Sequence, residues 1–368
     1  MWTVFPEVPY RPSGRRTPVL RRSAKRPLLT TATACLLVAS GVILGACAAG
    51  ATSATTTNTS APHGAVVPYG VPIKPAINPV GQSTDGTVTV SGAERTYSLY
   101  VPASLPPNSP VPLLVALHGG LGSGQGFEQQ TGFDGLAEAN RFIVVYPDGT
   151  PIRSGSNERV WNAGSCCSVA EQSNENVNDV GFISALITQL EGRYDIDKNR
   201  VFAAGHSNGA MLAERLACQL AGQIVAIGVQ SGTLPVDQCH PAKPVAALEI
   251  HGTADQNVPI NGGVGSNSLN QDSYPPPVDG LKMLAAQDGC PPSSTTSTDP
   301  ANSAVNFEIW HPCKSGSVVE WAKVTGANHG WMGHPGSAAA ARLSGGPPYQ
   351  GFDSSAAIWS FLAAHPRP

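Results

Sequence analysis

Ser207 stands in Gly205-His206-Ser207-Asn208-Gly209, a G-x-S-x-G spacing with the apolar run Val201-Phe202-Ala203-Ala204 before it and an amphipathic segment after it. In such an elbow the serine occupies a strained strand-to-helix turn. Glycines flank it because a larger side chain would collide with the neighbouring strand or helix. A hydroxyl is a poor nucleophile until a base takes its proton, so Ser207 requires a histidine. That histidine in turn requires a carboxylate to set its tautomer and stabilise the imidazolium. The chemistry open to such a set is acyl transfer through a covalent intermediate.

The carboxylate and the base are expected downstream, in the order serine, acid, histidine. The predicted strand 245–250 leads into His251-Gly252-Thr253-Ala254-Asp255, which places Asp255 just past the carboxyl end of a strand, where catalytic groups collect in open α/β sheets. Asp272 and Asp279, in a proline-rich stretch, are its rivals. The run 318–324 leads into Thr325-Gly326-Ala327-Asn328-His329-Gly330-Trp331, and His329 again follows a strand end. Of the other histidines, His63 lies in a low-complexity stretch, His118, His206 and His251 stand beside turns, and His365 is nearly terminal. His240, His311 and His334 remain as competitors, with His311 expected at the opposite edge because it precedes the last predicted strand. An attacked carbonyl becomes an oxyanion, which preorganised N–H groups stabilise. The Asn208 amide, opening a helix with its favourable dipole, is one candidate donor. Gly120, with Gly119 next, is the other, in the loop His118-Gly119-Gly120 after the run 111–117.

Elements able to hold these residues follow from the hydrophobic pattern. Residues 87–90 and 95–101 flank Ser91-Gly92-Ala93-Glu94 and predict an antiparallel hairpin. Buried-strand runs are predicted at 111–117, 142–146, 201–204, 224–229, 245–250 and 318–324. Helices are predicted near 127–140, 177–194, 208–220, 278–287 and 354–364. Strands alternating with helices after an opening hairpin predict a mostly parallel sheet with helices on both faces. The chain has 368 residues, 41% of them hydrophobic and 13% charged, with a net charge of −3. That composition supports a buried core and provides no basic patch for nucleic acid.

The N-terminal region reads differently. Residues 1–26 carry seven Arg or Lys and one acid, Glu7, ahead of an apolar run from Leu28 to Leu44, the layout of an export signal. The run ends on Leu44-Gly45-Ala46-Cys47, which resembles the bacterial lipobox, so residues 1–46 are expected as signal peptide and Cys47 as the acylated N-terminus. Cleavage to a free secreted protein and an uncleaved anchor helix are the alternatives. Residues 47–82, rich in Thr, Ser, Ala, Pro and Gly, are expected to form a flexible tether, leaving 83–368 as one catalytic domain. Outside the leader and Cys47 there remain six cysteines, which in an oxidising compartment suggest disulfides. Cys290 with Cys313 is the favoured pair and Cys218 with Cys239 a second, leaving adjacent Cys166 and Cys167 as a vicinal bridge or with other partners. No C-x₂-C or H-E-x-x-H spacing points to zinc, and no metal or organic cofactor is expected.

Leu117-His118-Gly119-Gly120, Tyr146-Pro147-Asp148-Gly149, Trp161-Asn162-Ala163-Gly164-Ser165-Cys166-Cys167, Asn178-Asp179-Val180-Gly181-Phe182, the serine elbow, His251-Gly252-Thr253-Ala254-Asp255 and Asn328-His329-Gly330-Trp331 together resemble the polyhydroxybutyrate-depolymerase and feruloyl-esterase-like group of α/β-hydrolases. The resemblance covers roughly residues 86–364. It implies an α/β-hydrolase fold, a Ser207–Asp255–His329 triad, Trp161 and Trp331 flanking a substrate site, and Asp179 near it. Core packing for the two tryptophans, and capping of a helix from Val180 for Asp179, are the structural alternatives. The resemblance implies an exported serine esterase acting on a small ester, a polyester or an esterified polysaccharide, held to the membrane through its lipid anchor. A non-catalytic envelope lipoprotein binding a glycan or partner on the same fold is the alternative of another class, and a peptidase shares the triad.

Overall fold

Uninterrupted apolar runs seek burial on both faces, and here they form the middle of a sheet. In the computed structural model, residues 73–166, 177–268 and 271–368 are described. The predicted leader, Cys47, Cys167 and the tether up to residue 72 lie outside them.

In chain order the elements are β1 (Gln82–Val90), β2 (Ala93–Val101), β3 (Val111–Leu117), α1 (Gly124–Thr131), α2 (Phe133–Asn140), β4 (Ile143–Pro147), β5 (Thr150–Pro151), β6 (Arg159–Val160) and α3 (Asp179–Glu191). There follow β7 (Ile196–His206), α4 (Asn208–Gln219), β8 (Ala226–Gln230), β9 (Ala246–Gly252), β10 (Gly263–Val264), β11 (Ser273–Tyr274) and α5 (Pro277–Gln287). The last are β12 (Thr295–Thr298), β13 (Val305–Trp310), β14 (Val319–Val324), α6 (Ala338–Leu343) and α7 (Ser354–Ala364).

Ten strands form one sheet in the order β1-β2-β4-β3-β7-β8-β9-β14-β13-β12. The six from β4 to β14 are mutually parallel, and an antiparallel pair extends each end. Along β3, Leu113, Val115 and Leu117 pack on one face while Leu114 and Ala116 pack on the other, which is why the run carries no polar residue. Helices α3, α4 and α5 cover the first face, and α1, α2 and α7 the second. This is the doubly covered sheet that the sequence predicts.

Two local expectations change. The single helix expected near residues 127–140 is two, because Gly132 adopts φ 66° and ends α1 as it begins α2; a left-handed residue stops the hydrogen-bond ladder. The run 318–324 is the last strand in chain order, as expected, but β13 and β12, which the sequence did not predict, pair beyond it at the sheet edge. Their exposed Thr295–Thr298 edge lacks the apolar density that makes a strand legible. Cys218–Cys239 and Cys290–Cys313 are both disulfides, as the sequence suggests. Cys166 is also disulfide-bonded.

Candidate active site

The nucleophile elbow is built where β7 meets α4. Ser207 has φ 54° and ψ −122°, a region costing about 1–3 kcal/mol for a non-glycine residue. The turn is kept because both flanking glycines are forced by contact. A Cβ on Gly205 would sit 2.4 Å from the Gly209 carbonyl oxygen, and one on Gly209 would sit 2.3 Å from that of Leu117. The Ser207 amide donates to the Gln230 carbonyl of β8 (3.0 Å), and the Ser207 carbonyl accepts the first α4 bond from Met211 (3.0 Å).

Asp255 and His329 arrive on the loops after β9 and β14, strands that are neighbours in the sheet although 74 positions separate the two residues. His329 Nδ1 lies 2.8 Å from Asp255 Oδ2. The other carboxylate oxygen accepts from the amides of Asn257 (2.9 Å) and Val258 (3.0 Å). Burial would raise the Asp255 pKa, but the charge interaction and hydrogen bond with His329, with help from His251, hold it well below the usual carboxylate range. Asp255 therefore stays ionised through mildly acidic pH. Behind it, His251 donates from Nε2 to the Val258 carbonyl (2.9 Å), and its Nδ1 lies 2.8 Å from Glu249 Oε1. This buried imidazole closes the acid loop from below. Glu249 and the neighbouring Glu214 are fully enclosed, and burial pushes both carboxyls up, Glu214 well above its ordinary value.

The loop after β3 is locked by His118. Its Nδ1 donates to the Gly119 carbonyl (2.8 Å) and its Nε2 accepts from the Gly149 amide (3.0 Å). One nitrogen donates and the other accepts, so the ring is neutral, and burial lowers its pKa to about 4. The Gly119 carbonyl also accepts from the Gly122 amide (3.0 Å). Because the peptide is planar and trans, the Gly120 N–H points away from that carbonyl. A Cβ on Gly120 would lie 3.7 Å from Asn208 Cβ, so the two candidate oxyanion donors are neighbours.

Ser207, His329, Gly119, Gly120 and Asn208 all line one cavity of about 320 Å³. Phe127, Val258, Tyr274 and Leu343 contribute apolar wall, and α6, which the sequence reading missed, forms one side with Ala339, Ala340 and Leu343. Its alanine-rich sequence carries no apolar stripe that would have announced a wall.

Trp161 and Trp331 are fully buried and lie outside the cavity lining. Both therefore pack in the core, the alternative role that the sequence left open for them. Trp161 Nε1 donates to the His118 carbonyl (2.9 Å), while the Asn208 side chain accepts from the Trp161 amide (2.7 Å) and donates to its carbonyl (3.1 Å). Trp161 is thereby a strut between the two loops that carry the candidate donors. Trp331 Nε1 donates to Ser355 Oγ (3.0 Å). Asp179 does not cap: Asn178 is the N-cap of α3. Asp179 is buried, pairs with Arg95 (2.7 Å) and accepts from the Asn162 amide (2.7 Å), anchoring the strut. The rivals fall elsewhere. Asp279 lies in the first turn of α5, and His334 faces Asp353 at 3.3 Å. No group of three or more His, Cys, Asp or Glu side chains that could hold a metal is found among the described residues.

A doubly covered parallel sheet with a strained serine after one central strand, and a carboxylate–imidazole pair past two others, defines the α/β-hydrolase class. A solved acetyl xylan esterase from Aspergillus awamori shares the fold, with a TM-score of 0.50 at 20% identity over 67% of this chain and 94% of that one. The model of the esterase PHB depolymerase family matches residues 95–275. A probable feruloyl esterase C of Aspergillus clavatus is 30% identical over 222 residues, 56% of this chain and 74% of that protein. The chain belongs to this family of PHB depolymerase and feruloyl esterase-like proteins. The bifunctional acetylxylan esterase/xylanase XynS20E of Neocallimastix patriciarum is 29% identical over 65% of this chain and 31% of its own length. Feruloyl esterase B of Piromyces equi is 28% identical over 64% of this chain and 42% of its own length. The chain thus spans less than half the length of these two relatives.

Proposed function

We propose that this protein is an exported serine esterase that cleaves carboxylic esters through an acyl-enzyme. The observation that carries the reading is the His329–Asp255 pair at 2.8 Å, with His329 sharing one cavity wall with Ser207, Gly120 and Asn208. Ser207 Oγ attacks the ester carbonyl as His329 Nε2 takes its proton. Asp255 holds the Nδ1–H and stabilises the imidazolium. The Gly120 and Asn208 amides bind the oxyanion, each such donor contributing about 10²–10³ in rate. His329 returns the proton to the departing alcohol, and water then enters and releases the acid by the reverse proton path.

A cavity of about 320 Å³ with mostly apolar walls suits one short or aromatic acyl group better than a polymer strand. Acetyl and aromatic-acid esters, the substrates in the names of several relatives, are therefore the preferred class over polyhydroxyalkanoate. On full-length protein, p-nitrophenyl acetate hydrolysis should fall by on the order of 10⁶ in kcat for Ser207→Ala. Equal rates in the two proteins would overturn the assignment in favour of a binding role. Methyl ferulate, acetylated xylan and polyhydroxybutyrate film, run side by side, then rank the substrates.

Export belongs to the same proposal. Residues 1–46 serve as leader, acylated Cys47 as anchor and 47–82 as tether to the domain 83–368. The end of that stretch is held on the domain, where the Lys74 amide donates to Asn140 Oδ1 (2.9 Å), the Gly81 amide donates to the Tyr100 hydroxyl (2.9 Å), and β1 already begins at Gln82. The arginine-rich start, the apolar run and Leu44-Gly45-Ala46-Cys47 support it. So do the Cys218–Cys239 and Cys290–Cys313 bridges, which persist in oxidising compartments. Among the described residues no helix is long and apolar enough to cross a membrane.

A further inference from the structure

The base and the nucleophile come from loops far apart in the chain, and a triad works only if something fixes the distance between those loops. Three main-chain groups at and just after His329 are bound by side chains instead of by a strand partner. His206 Nε2 donates to the His329 carbonyl (2.7 Å), Gln230 Nε2 donates to the Gly330 carbonyl (3.0 Å), and the Met332 amide donates to Gln230 Oε1 (3.1 Å). His206 and Gln230 are register partners at the carboxyl ends of β7 and β8. His206 immediately precedes the nucleophile, and the Gln230 main-chain carbonyl accepts the Ser207 amide.

We propose that His206 and Gln230 are positioning residues, a two-residue clamp that holds the base loop over the nucleophile elbow and so sets His329 against Ser207. The inference rests on the esterase reading above and adds residues that reading does not need.

The chemistry of each partner fits. A carbonyl only accepts, so His206 must carry its proton on Nε2. Burial lowers its pKa to about 3, with the nearby His329 acting in the same direction, and it therefore stays a neutral, single-tautomer donor. Its ring lies 4.9 Å from that of His329 and meets Trp331 edge-on at 5.8 Å. Gln230 is fully buried. An amide is the side chain that can donate to one main-chain carbonyl and accept from a main-chain N–H two residues on. Its oxygen also accepts from Ser354 Oγ at the start of α7 (2.7 Å), which ties the clamp to the helix layer. Gln230 ends a wholly apolar strand, where a polar side chain is costly unless its bonds are made. Both amide groups make them, and both reach toward the base loop.

The test uses full-length protein with four variants, rates being expressed per folded molecule as judged by circular dichroism. His206→Phe keeps the ring against Trp331 and removes the donor, whereas His206→Gln restores an N–H at similar reach. Gln230→Met removes both hydrogen-bonding groups at near-constant volume, and Ser207→Ala marks the rate without a nucleophile. The clamp predicts that His206→Phe and Gln230→Met lose about 10- to 100-fold in kcat with KM unchanged, the size of a misplaced base. It also predicts that His206→Gln regains most of the loss. Wild-type kcat in His206→Phe overturns the clamp while Ser207→Ala stays inactive and the esterase reading stands. So does equal loss in His206→Phe and His206→Gln, or a rise in KM alone, which would make His206 a substrate contact. If Gln230→Met does not fold, the two His206 variants decide. A wild type no faster than Ser207→Ala removes the esterase reading, and the clamp with it.

Discussion

The pairing of His329 with Asp255 rests on which atom carries a proton. Asp255 Oδ1 is occupied by two backbone amides, so only Oδ2 faces His329 Nδ1. In Asp255→Asn the amide can keep the Oδ1 bonds, but it then presents an N–H to Nδ1. The imidazole must answer by moving its proton to Nε2, where it can no longer accept from Ser207. A loss of about 10⁴ in kcat follows from that tautomer alone, and p-nitrophenyl acetate turnover by the folded variant measures it. A loss under tenfold would mean that another group orients the base. His118 shows the same logic without titrating: neutral by burial, it spends one nitrogen on the loop that presents Gly120 and the other on the Gly149 amide of the loop after β4, tying the two together. Its place beside a Gly-Gly turn was the one sequence signal for that role.

Among the elements, β14 carries a second use of burial. Its first half places Glu320 inside the core, between Leu248 of β9 and Ile309 of β13. Neither carboxylate oxygen has a partner among the described residues. Burial alone pushes the Glu320 pKa from 4.5 up to about 8, so the folded protein binds a proton there that the unfolded chain releases. The sign follows directly. The folded-state pKa is the higher one, so this group's contribution is fully present below about pH 4.5 and is lost as pH rises toward 8, at up to about 1.4 kcal/mol per pH unit. Glu320→Gln is expected to flatten that decline and to unfold at higher urea than the wild type at pH 8, with the gap closing toward pH 5. Urea midpoints for both proteins across pH 5–8 check it, and parallel curves would show that Glu320 does not titrate in this window. No sequence pattern announced this residue, because a glutamate in an apolar run reads equally well as a solvent-facing position.

At the scale of the whole molecule, the domain carries its own disulfides, and the proposed anchor lies in the chain before residue 73. Anchoring is expected to be separable from catalysis there, because the sequence of residues 47–72 is poor in large apolar groups able to pack. Cys47→Ala protein is expected in the soluble fraction, with its p-nitrophenyl acetate activity intact. Retention in the membrane fraction would count against acylation and favour an uncleaved helix. Two acyl chains hold a protein firmly at a bilayer whereas one does not, so full release is the expected outcome.

The sequence by itself determined the parts that depend on neighbours along the chain. The elbow is legible because the two glycines that the Ser207 turn demands are adjacent to it. The central strands are legible because burial on both faces leaves mostly apolar runs, broken only by single residues such as Glu249 and Glu320, and Asp255 and His329 stand out because each lies shortly past such a run. The tertiary structure alone decided what depends on residues meeting across the fold. It turned Trp161 from an expected substrate contact into a strut, split one expected helix at Gly132, and made α6 a cavity wall. It also brought Gln230 of β8 onto Gly330 and Met332, 100 and 102 positions away. A hydrogen bond between distant segments leaves no period and no spacing in the chain, since its geometry exists only once the sheet has set the strands side by side.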